Sequence, residues 1–223
     1  MCRARNEPGA GVRQLGIRLR IGVEELRVRA GLPQGTSALY MDAMAILKIA
    51  RMGHPVLVAQ AEPVVDPGAP DLRRLIRDML ETMVDAQGIG LAAPQVHESR
   101  RVIVFLDALD REEAGARAPV VLINPELEPI GPADELGWEG CLSIPGLRGV
   151  VPRHARIRYR GLGIEGEPIE REAGGLHARV VQHEVDHLNG VLYPMRMVDL
   201  RQLAFESELR HFATEPDRSE QGG

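Results

Sequence analysis

Two histidines four residues apart, His183 and His187, are the feature that most constrains how this chain can fold. Positions i and i+4 share one face of an α-helix, so a helix here aims both imidazoles at one point. The preceding residues 178–182 read Ala-Arg-Val-Val-Gln and lack acidic side chains, which favours a buried helix. Converging imidazoles on such a helix predict a site for one divalent metal ion. The alternative is an exposed helix whose histidines and acids face water.

Glu184 lies beside this pair in a position suited to proton transfer. It follows His183 directly, about 100° around the helix. Its carboxylate can therefore reach the surroundings of the metal without being a ligand, as a general acid/base must.

A catalytic metal site usually has three protein ligands, so a third must be sought elsewhere in the chain. Cys141 is the best candidate, because a thiolate binds Zn²⁺ or Fe²⁺ well and Gly140 precedes it. A lone cysteine is, however, more often a small buried hydrophobic residue. Downstream, His211 lies near Glu206 and Glu208 on a segment that reads as exposed, and it is the weaker candidate.

A glycine-rich segment, Gly88-Ile-Gly-Leu-Ala-Ala-Pro-Gln95, forms the third group of interest. Glycines after a helix most often provide a simple cap and turn. Glycine also permits close approach of the backbone to a ligand. Gln95 offers a neutral amide donor, which could bind an oxyanion without competing for a metal.

The apolar pattern predicts an α+β fold built mainly from aliphatic residues, since aromatic residues make up only 3% of the chain. Helical spacing predicts a helix over 71–87, with Asp71 as N-cap and Gly88 as its stop. Strands and helices interleave without regular βαβ units. The further elements predicted are strands at 101–106 and 120–124, a hairpin of 155–160 with 164–170, and helices at 175–189 and 197–212.

Composition narrows the classes of function. The formal net charge of −5 argues against nucleic acid as a specific partner. The sequence shows neither a signal peptide nor a long apolar run, so no membrane partner is expected. Two cysteines, Cys2 and Cys141, fit a reducing cytoplasm better than a disulfide-stabilised secreted domain.

Taken together, the segments G-I-G-L-A-A-P-Q, E-G-C-L-S and Q-H-E-V-D-H, in this order and spacing, resemble the bacterial peptide deformylases. The resemblance runs from about Met44 to about residue 212. It implies mixed or antiparallel sheets packed around a central metal-binding helix, with a C-terminal helix. It also implies removal of the formyl group from the N-terminal formylmethionine of nascent polypeptides, with release of formate.

The resemblance assigns roles residue by residue. The implied metal ligands are Cys141, His183 and His187, holding Fe²⁺ in the cell, with Zn²⁺, Ni²⁺ or Co²⁺ as alternatives. Glu184 is the implied general acid/base, and the Gln95 side chain and the Leu142 backbone N–H are the implied oxyanion donors. An HExxH metallopeptidase and an inactive deformylase-like binder of peptide or metal are the competing interpretations.

The resemblance further implies that the peptide lies extended and pairs with backbone near Ile89 and Gly140, a form of strand addition. The implied substrate-binding residues are Gly88, Ile89, Gly90, Gly140, Arg179 and Val180. Arg179 departs from the family, in which apolar residues are common there, and we expect its stem to line the methionine pocket while its guanidinium reaches solvent. Glu139 and Arg153 are expected to support the ligands, an exposed ion pair being the alternative.

The ends of the chain lie outside the resemblance. Residues 1–43 carry scattered arginines, and we expect a weakly ordered N-terminal extension, or upstream sequence with Met44 or Met41 as the real start. An organelle-targeting segment is the alternative. We expect residues 44–214 to form the catalytic domain and 215–223 a flexible tail. Some relatives dock on the ribosome through a basic C-terminal helix, but residues 198–223 hold six acids and three arginines, which argues for transient proximity only.

Overall fold

The structure is a computed structural model that describes residues 45–107 and 118–214. The extension predicted at 1–43 and the tail predicted at 215–223 lie outside these residues. Within the described part, strands β1 to β5 form a sheet in that order, β6 pairs with β4, and neighbouring strands are antiparallel. The strands are β1 Gly90–Ala92, β2 Val102–Leu106, β3 Pro119–Cys141, β4 Ile144–Leu162, β5 Pro168–Gly174 and β6 Leu203–Phe205. None of the described helices is long and apolar enough to cross a membrane.

Helix α1, Pro70–Asp85, confirms the helix predicted over 71–87 but not its caps. Ala69 is the N-cap and Pro70 opens the helix, because proline lacks the N–H that a first turn leaves unpaired and has a φ suited to a helix. The prediction that Asp71 is the N-cap is therefore wrong. Its carboxylate forms an ion pair with Arg100 instead, at 2.7 Å.

The end of α1 also differs from the prediction that Gly88 is its stop. Gln87, with φ of 55°, takes the left-handed conformation that often follows a helix. The Gly88 N–H then donates to the Met83 carbonyl at 2.8 Å, which satisfies one of the last carbonyls of the helix.

Strand β2 is buried on both faces, which explains its unbroken apolar sequence. On one face, Val102, Val104 and Leu106 pack against the apolar stripe of α1. On the other face, Ile103 and Phe105 pack in a second core cluster with residues of the later helix. One strand therefore links two hydrophobic cores.

Helix α2, Gly175–Leu188, agrees with the prediction for 175–189. Every residue from His177 to Leu188 is buried, and the helix contacts β1, β2, β4 and β5. The apolar residues Val181 and Val185 join the core cluster that contains Ile103. The exposed-helix alternative is therefore wrong.

Strands β3 and β4 form a long antiparallel hairpin that positions one end of the site. Pairing runs from Ile123 opposite Leu162 to Cys141 opposite Ile144, with several irregularities in register. Cys141 is thus the last residue of β3. The hairpin predicted from 155–160 with 164–170 is confirmed, since β4 pairs with β5, although β5 begins at 168 rather than 164.

The α-helix predicted over 197–212 is wrong. The segment contains a short 3-10 helix (Leu200–Gln202), then β6, then a 3-10 helix (Glu206–Thr214). Strand β6 pairs with residues 147–149 of β4, so the sheet edge supplies backbone hydrogen bonds that an α-helix would have made internally. Leu200, in the first of these 3-10 helices, is 67% exposed.

Replacing Ile103 with Ala should lower the free energy of unfolding by about 2–5 kcal/mol, because a fully buried side chain between β2 and α2 leaves a cavity. The matched control is Ile46→Ala, at a position 57% exposed, which should change stability by less than about 0.5 kcal/mol. Urea unfolding measures both. Equal effects of the two substitutions would contradict the described core.

Candidate metal centre and active site

Helix α2 and the end of β3 bring three metal-binding side chains together. His183 and His187 lie one turn apart with ring centroids 5.0 Å from each other. The Cys141 Sγ lies 3.2 Å from His187 Nε2, and the ligand atoms of all three residues lie within 4.8 Å of one another. The His211 alternative falls on the exposed C-terminal 3-10 helix instead.

This cluster fits a divalent metal ion. Tetrahedral ligands with bonds of about 2.0–2.3 Å lie roughly 3.5 Å apart. The distance of 3.2 Å between Cys141 Sγ and His187 Nε2 is close to that value. Burial, with His183 nearby, lowers the pKa of His187 well below 6.5 and keeps its imidazole in the neutral, metal-binding form. Burial alone would lower the pKa of His183, but its hydrogen bonds with Cys141 and Glu139 outweigh it and raise the pKa. The acidic neighbours Cys141 and Glu139, which favour a proton on His183, also favour a metal cation beside it.

Glu139 and Arg153 support His183 from within the protein. Glu139 Oε2 lies 2.8 Å from His183 Nδ1, which leaves Nε2 of that ring free for a metal. Arg153 donates to both oxygens of Glu139, at 2.9 and 3.0 Å, and both side chains are buried. Burial would raise the pKa of Glu139, but hydrogen bonds from His183 and Arg153 bring it down to about 2. The exposed-ion-pair alternative is therefore wrong.

Asp186, within the same helix, is a partner that sequence reasoning missed. Arg153 and Arg196 both donate to its carboxylate. It lies inside the H-E-V-D-H segment itself, so its position in the motif was the available signal. Arg153, which binds Glu139, is thus held by Asp186, and Asp186 in turn is bound by Arg196 beyond the end of the helix.

Glu184 is buried beside the two histidines. Its Oε2 has no hydrogen-bond partner among the described residues. Burial raises its pKa to about 7, from an ordinary 4.5, although His183 acts in the opposite direction. A carboxylate that titrates near neutral pH is suited to both accept and return a proton.

Gly90 provides the space in which Glu184 sits. A Cβ at position 90 would lie 2.3 Å from Glu184 Oε1, closer than unbonded atoms can approach. The glycine of β1 is thus required by the carboxylate opposite it. This contact links the glycine-rich segment to α2.

The orientation of the Gln95 amide is fixed by its neighbours. The Ala92 N–H can only donate, so the atom that accepts from it at 2.8 Å is Gln95 Oε1. Nε2 therefore faces Cys141 Sγ, at 3.4 Å, and Ser143 Oγ, at 3.2 Å. Ser143 was not predicted to contribute, although it belongs to the E-G-C-L-S segment.

Leu142 lies in the turn between β3 and β4, and two predicted glycines lie near it, Gly140 at the end of β3 and Gly88 against its side chain. Leu142 follows Cys141 directly, and a Cβ at Gly88 would lie 2.9 Å from its Cδ1. A Cβ at Gly140 would lie 2.7 Å from Arg148 Nη1. The backbone around the cluster therefore packs closely. Ile89, also half-buried, accepts from the Leu106 N–H through its carbonyl at 2.9 Å.

Arg179 does not extend into solvent as expected. Its side chain is about 10% exposed, and its guanidinium donates to Glu139 Oε1 at 3.0 Å. It also donates to the carbonyls of Glu135, at 2.6 Å, and Val151, at 2.9 Å. The expectation that the guanidinium reaches solvent is wrong, because these buried acceptors hold it inside. Whether Arg179 and Val180 border a methionine pocket stays a prediction.

Two further residues near the helix were missed at the sequence level. Gln182 accepts from the His154 N–H and donates to the His154 carbonyl, which joins α2 to β4. Tyr193 stacks on His183 at 6.3 Å, and its hydroxyl is buried without a partner among the described residues. Gln182 stands beside the histidine motif, whereas nothing in the sequence pointed to Tyr193.

A cysteine and two histidines beside a buried carboxylate are the residue types of a metal-dependent hydrolase site. Comparison with known proteins makes the assignment more specific. The family model for polypeptide deformylase matches residues 46–203. Peptide deformylase 2 of Ralstonia nicotianae is 52% identical over 162 residues, which cover 72% of this chain and 92% of the relative. Peptide deformylase 1 of Bordetella pertussis is 50% identical over 165 residues, 72% of this chain and 93% of the relative.

Solved structures give the same family. The crystal structure of peptide deformylase from Thermotoga maritima is similar at a TM-score of 0.63, with 41% identity over 70% of this chain and 99% of that chain. A Met-Ala-Ser-bound class I type b peptide deformylase from Acinetobacter baumannii has a TM-score of 0.64, with 38% identity over 69% of this chain and 99% of that chain.

The chain belongs to the peptide deformylase family. Its activity is that of a hydrolase that removes the formyl group from N-formylmethionyl peptides. The metal dependence of this family agrees with the cluster of Cys141, His183 and His187. The competing interpretations, a metallopeptidase and an inactive binder, are not favoured by these relatives.

Gly90→Ala should lower kcat for formate release by about 100-fold, because the new Cβ displaces the Glu184 carboxylate. Metal content should stay unchanged, since the three heavy atoms nearest to the new Cβ all belong to Glu184. The matched control is Gly174→Ala, where the nearest atom to a Cβ lies 3.7 Å away. Wild-type kcat in Gly90→Ala would contradict the proposed need for this space.

Proposed function

We propose that Cys141, His183 and His187 hold one divalent metal ion and that Glu184 transfers protons during deformylation. One observation carries this proposal: three ligand atoms within 4.8 Å lie beside a buried carboxylate with an unpartnered oxygen. The metal, when bound, supplies Lewis acidity toward the formyl oxygen and toward water. We propose Fe²⁺ as the ion in the cell, with Zn²⁺, Ni²⁺ or Co²⁺ as substitutes. Metal analysis of protein purified without oxygen tests its identity.

Glu184 has two tasks in this proposal. It accepts a proton from the attacking water and later gives a proton to the departing amine, which leaves formate and a free N-terminus. Its pKa of about 7 supports both directions of transfer. Its unpartnered Oε2 supports it too, because no other described group holds that atom.

The oxyanion that develops on the formyl oxygen is stabilised by two N–H donors in this proposal. One is Gln95 Nε2, which the Ala92 N–H orients toward the metal cluster by holding Oε1. The other is the backbone N–H of Leu142, next to the ligand Cys141. Donors fixed before the reaction stabilise charge that appears only during it.

The peptide is proposed to bind by adding a strand to the sheet. Among the described residues β1 pairs only with β2, so no second strand lies along its other edge, next to the segment of Gly88, Ile89 and Gly90. Near Gly140, strand β3 pairs with β4 alone within 45–107 and 118–214, which leaves a second backbone edge beside Cys141. We propose Val180, together with the stem of Arg179, as part of the wall for the methionine side chain.

The wider setting follows from this substrate. Nascent chains with N-formylmethionine emerge from ribosomes, so we propose a cytoplasmic enzyme with transient proximity to the ribosome. We further propose residues 44–214 as the catalytic domain, because every group with a proposed role lies between positions 88 and 187. The contacts of α2 with four strands support the proposal that it is the central element of the fold.

Glu184→Gln should lower formate release from formyl-Met-Ala-Ser by about 100–10,000-fold, because an amide cannot accept the proton. Its metal content should equal that of the wild type, since no ligand changes. An enzyme-coupled formate assay and elemental analysis measure the two quantities. More than a few per cent of wild-type activity would show that another group transfers the proton.

Cys141→Ser should reduce metal affinity by more than about 100-fold, since an alcohol is a poor anionic ligand at neutral pH. Substitution of a residue that only supports a ligand already lowers metal affinity by up to about 100-fold, so the loss of a ligand should cost more. Competition with a chelator measures this affinity. Full occupancy of the Cys141→Ser protein at wild-type affinity would remove Cys141 from the ligand set.

A further inference from the structure

Arg179 lies one helical turn before His183, and its guanidinium is enclosed by polar acceptors. Nη1 donates to Glu139 Oε1 at 3.0 Å and to the Val151 carbonyl at 2.9 Å. Nη2 donates to the Glu135 carbonyl at 2.6 Å. These acceptors lie on β3 and β4, so one side chain of α2 is bonded to both strands of the long hairpin.

The Glu139 carboxylate also binds His183, and each of its two oxygens accepts two hydrogen bonds. Oε1 accepts from Arg153 and Arg179, and Oε2 accepts from Arg153 and His183. Arg153 is shared with Asp186, which also draws on its guanidinium. Of the two arginines that donate to Glu139, Arg179 is the one on the helix that carries the histidines. It makes no bond to Asp186 among those described.

We propose that Arg179 is a positioning residue for the metal centre, which fixes the Glu139 carboxylate and through it the ring of His183; this rests on the proposed metal site. Arg179 and His183 stand on the same helix four residues apart, and both bind Glu139 on β3. The three groups form a closed triangle between helix and strand. Without the hydrogen bond from Arg179, the Glu139 carboxylate can rotate about its remaining partners, and the His183 imidazole that it binds moves with it.

Gly137 is matched to this arginine. A Cβ at position 137 would lie 2.8 Å from Arg179 Cζ and 2.9 Å from its Nη2. The absence of a side chain on β3 is thus what admits the guanidinium between the strand and α2. Gly137 and Arg179 act as a pair: the glycine provides the space, and the arginine fills it with hydrogen-bond donors.

The test uses the full chain loaded with Co²⁺, whose thiolate absorption reports on the ligand geometry. Arg179→Met keeps much of the apolar stem and removes the donors. We expect Co²⁺ affinity to fall by about 10–100-fold, the absorption band to shift, and kcat to fall with KM for formyl-Met-Ala-Ser little changed. Arg179→Lys should recover part of the affinity, because an ammonium keeps the charge without the planar fork.

The matched control is Arg201→Met, at a side chain that is 90% exposed and paired with Asp199, and it should leave affinity and spectrum unchanged. Gly137→Ala places a methyl group on β3 against the Arg179 guanidinium, and it should also weaken Co²⁺ binding. If Arg179→Met fails to fold, Co²⁺ affinity in the Arg179→Lys and Gly137→Ala variants tests the proposal instead.

Wild-type affinity and spectrum in the Arg179 and Gly137 variants would overturn the inference, whatever their melting temperatures. A change confined to KM would overturn it, because Arg179 would then act only as part of the pocket wall. Wild-type protein whose Co²⁺ form lacks the thiolate band, or binds Co²⁺ no better than Cys141→Ser, would overturn the proposed metal site itself. That result is distinguishable, because it appears before any Arg179 variant is compared.

Discussion

The buried carboxylate of Glu139 is the group on which the rest of the site depends. Removing a negative charge from water is costly unless every oxygen is paired, and here Arg153, Arg179 and His183 supply the partners. Two of these partners lie on α2 and one on β4, while Glu139 itself lies on β3. Satisfying one charge thus fixes three elements relative to each other, which is the geometry that a metal centre with ligands from two elements requires.

The fold surrounds this polar junction with apolar packing on both sides of the sheet. Strand β2 contributes alternate residues to a core with α1 and a core with α2. The long hairpin of β3 and β4 then carries Cys141 to the face of α2 that holds both histidines. Because β1 adjoins β2, the same core that supports α2 also places Gly90 against Glu184.

Close approach is a second theme, and it explains why glycines recur near the site. Gly90 leaves room for Glu184, Gly137 for Arg179, and Gly140 for Arg148. In each case the glycine lies on a strand and the long polar side chain comes from another segment. A methyl group at any of these positions would meet a charged or hydrogen-bonded side chain, so the positions are paired through space rather than along the chain.

The sequence by itself determined the elements whose residues repeat with a clear period, and the chemistry of residues that share a motif. It gave α1, α2, β2, the hairpin of β4 with β5, and the cluster of Cys141 with His183 and His187 as predictions from pattern and resemblance. Only the tertiary structure decided where the C-terminal segment and the Arg179 guanidinium go, because both depend on distant acceptors. The edge of β4 turned residues 203–205 into a strand, and the carbonyls of β3 and β4 drew Arg179 inward. Local periodicity carries no information about such partners, since hydrogen bonds across the fold are made between residues far apart in sequence.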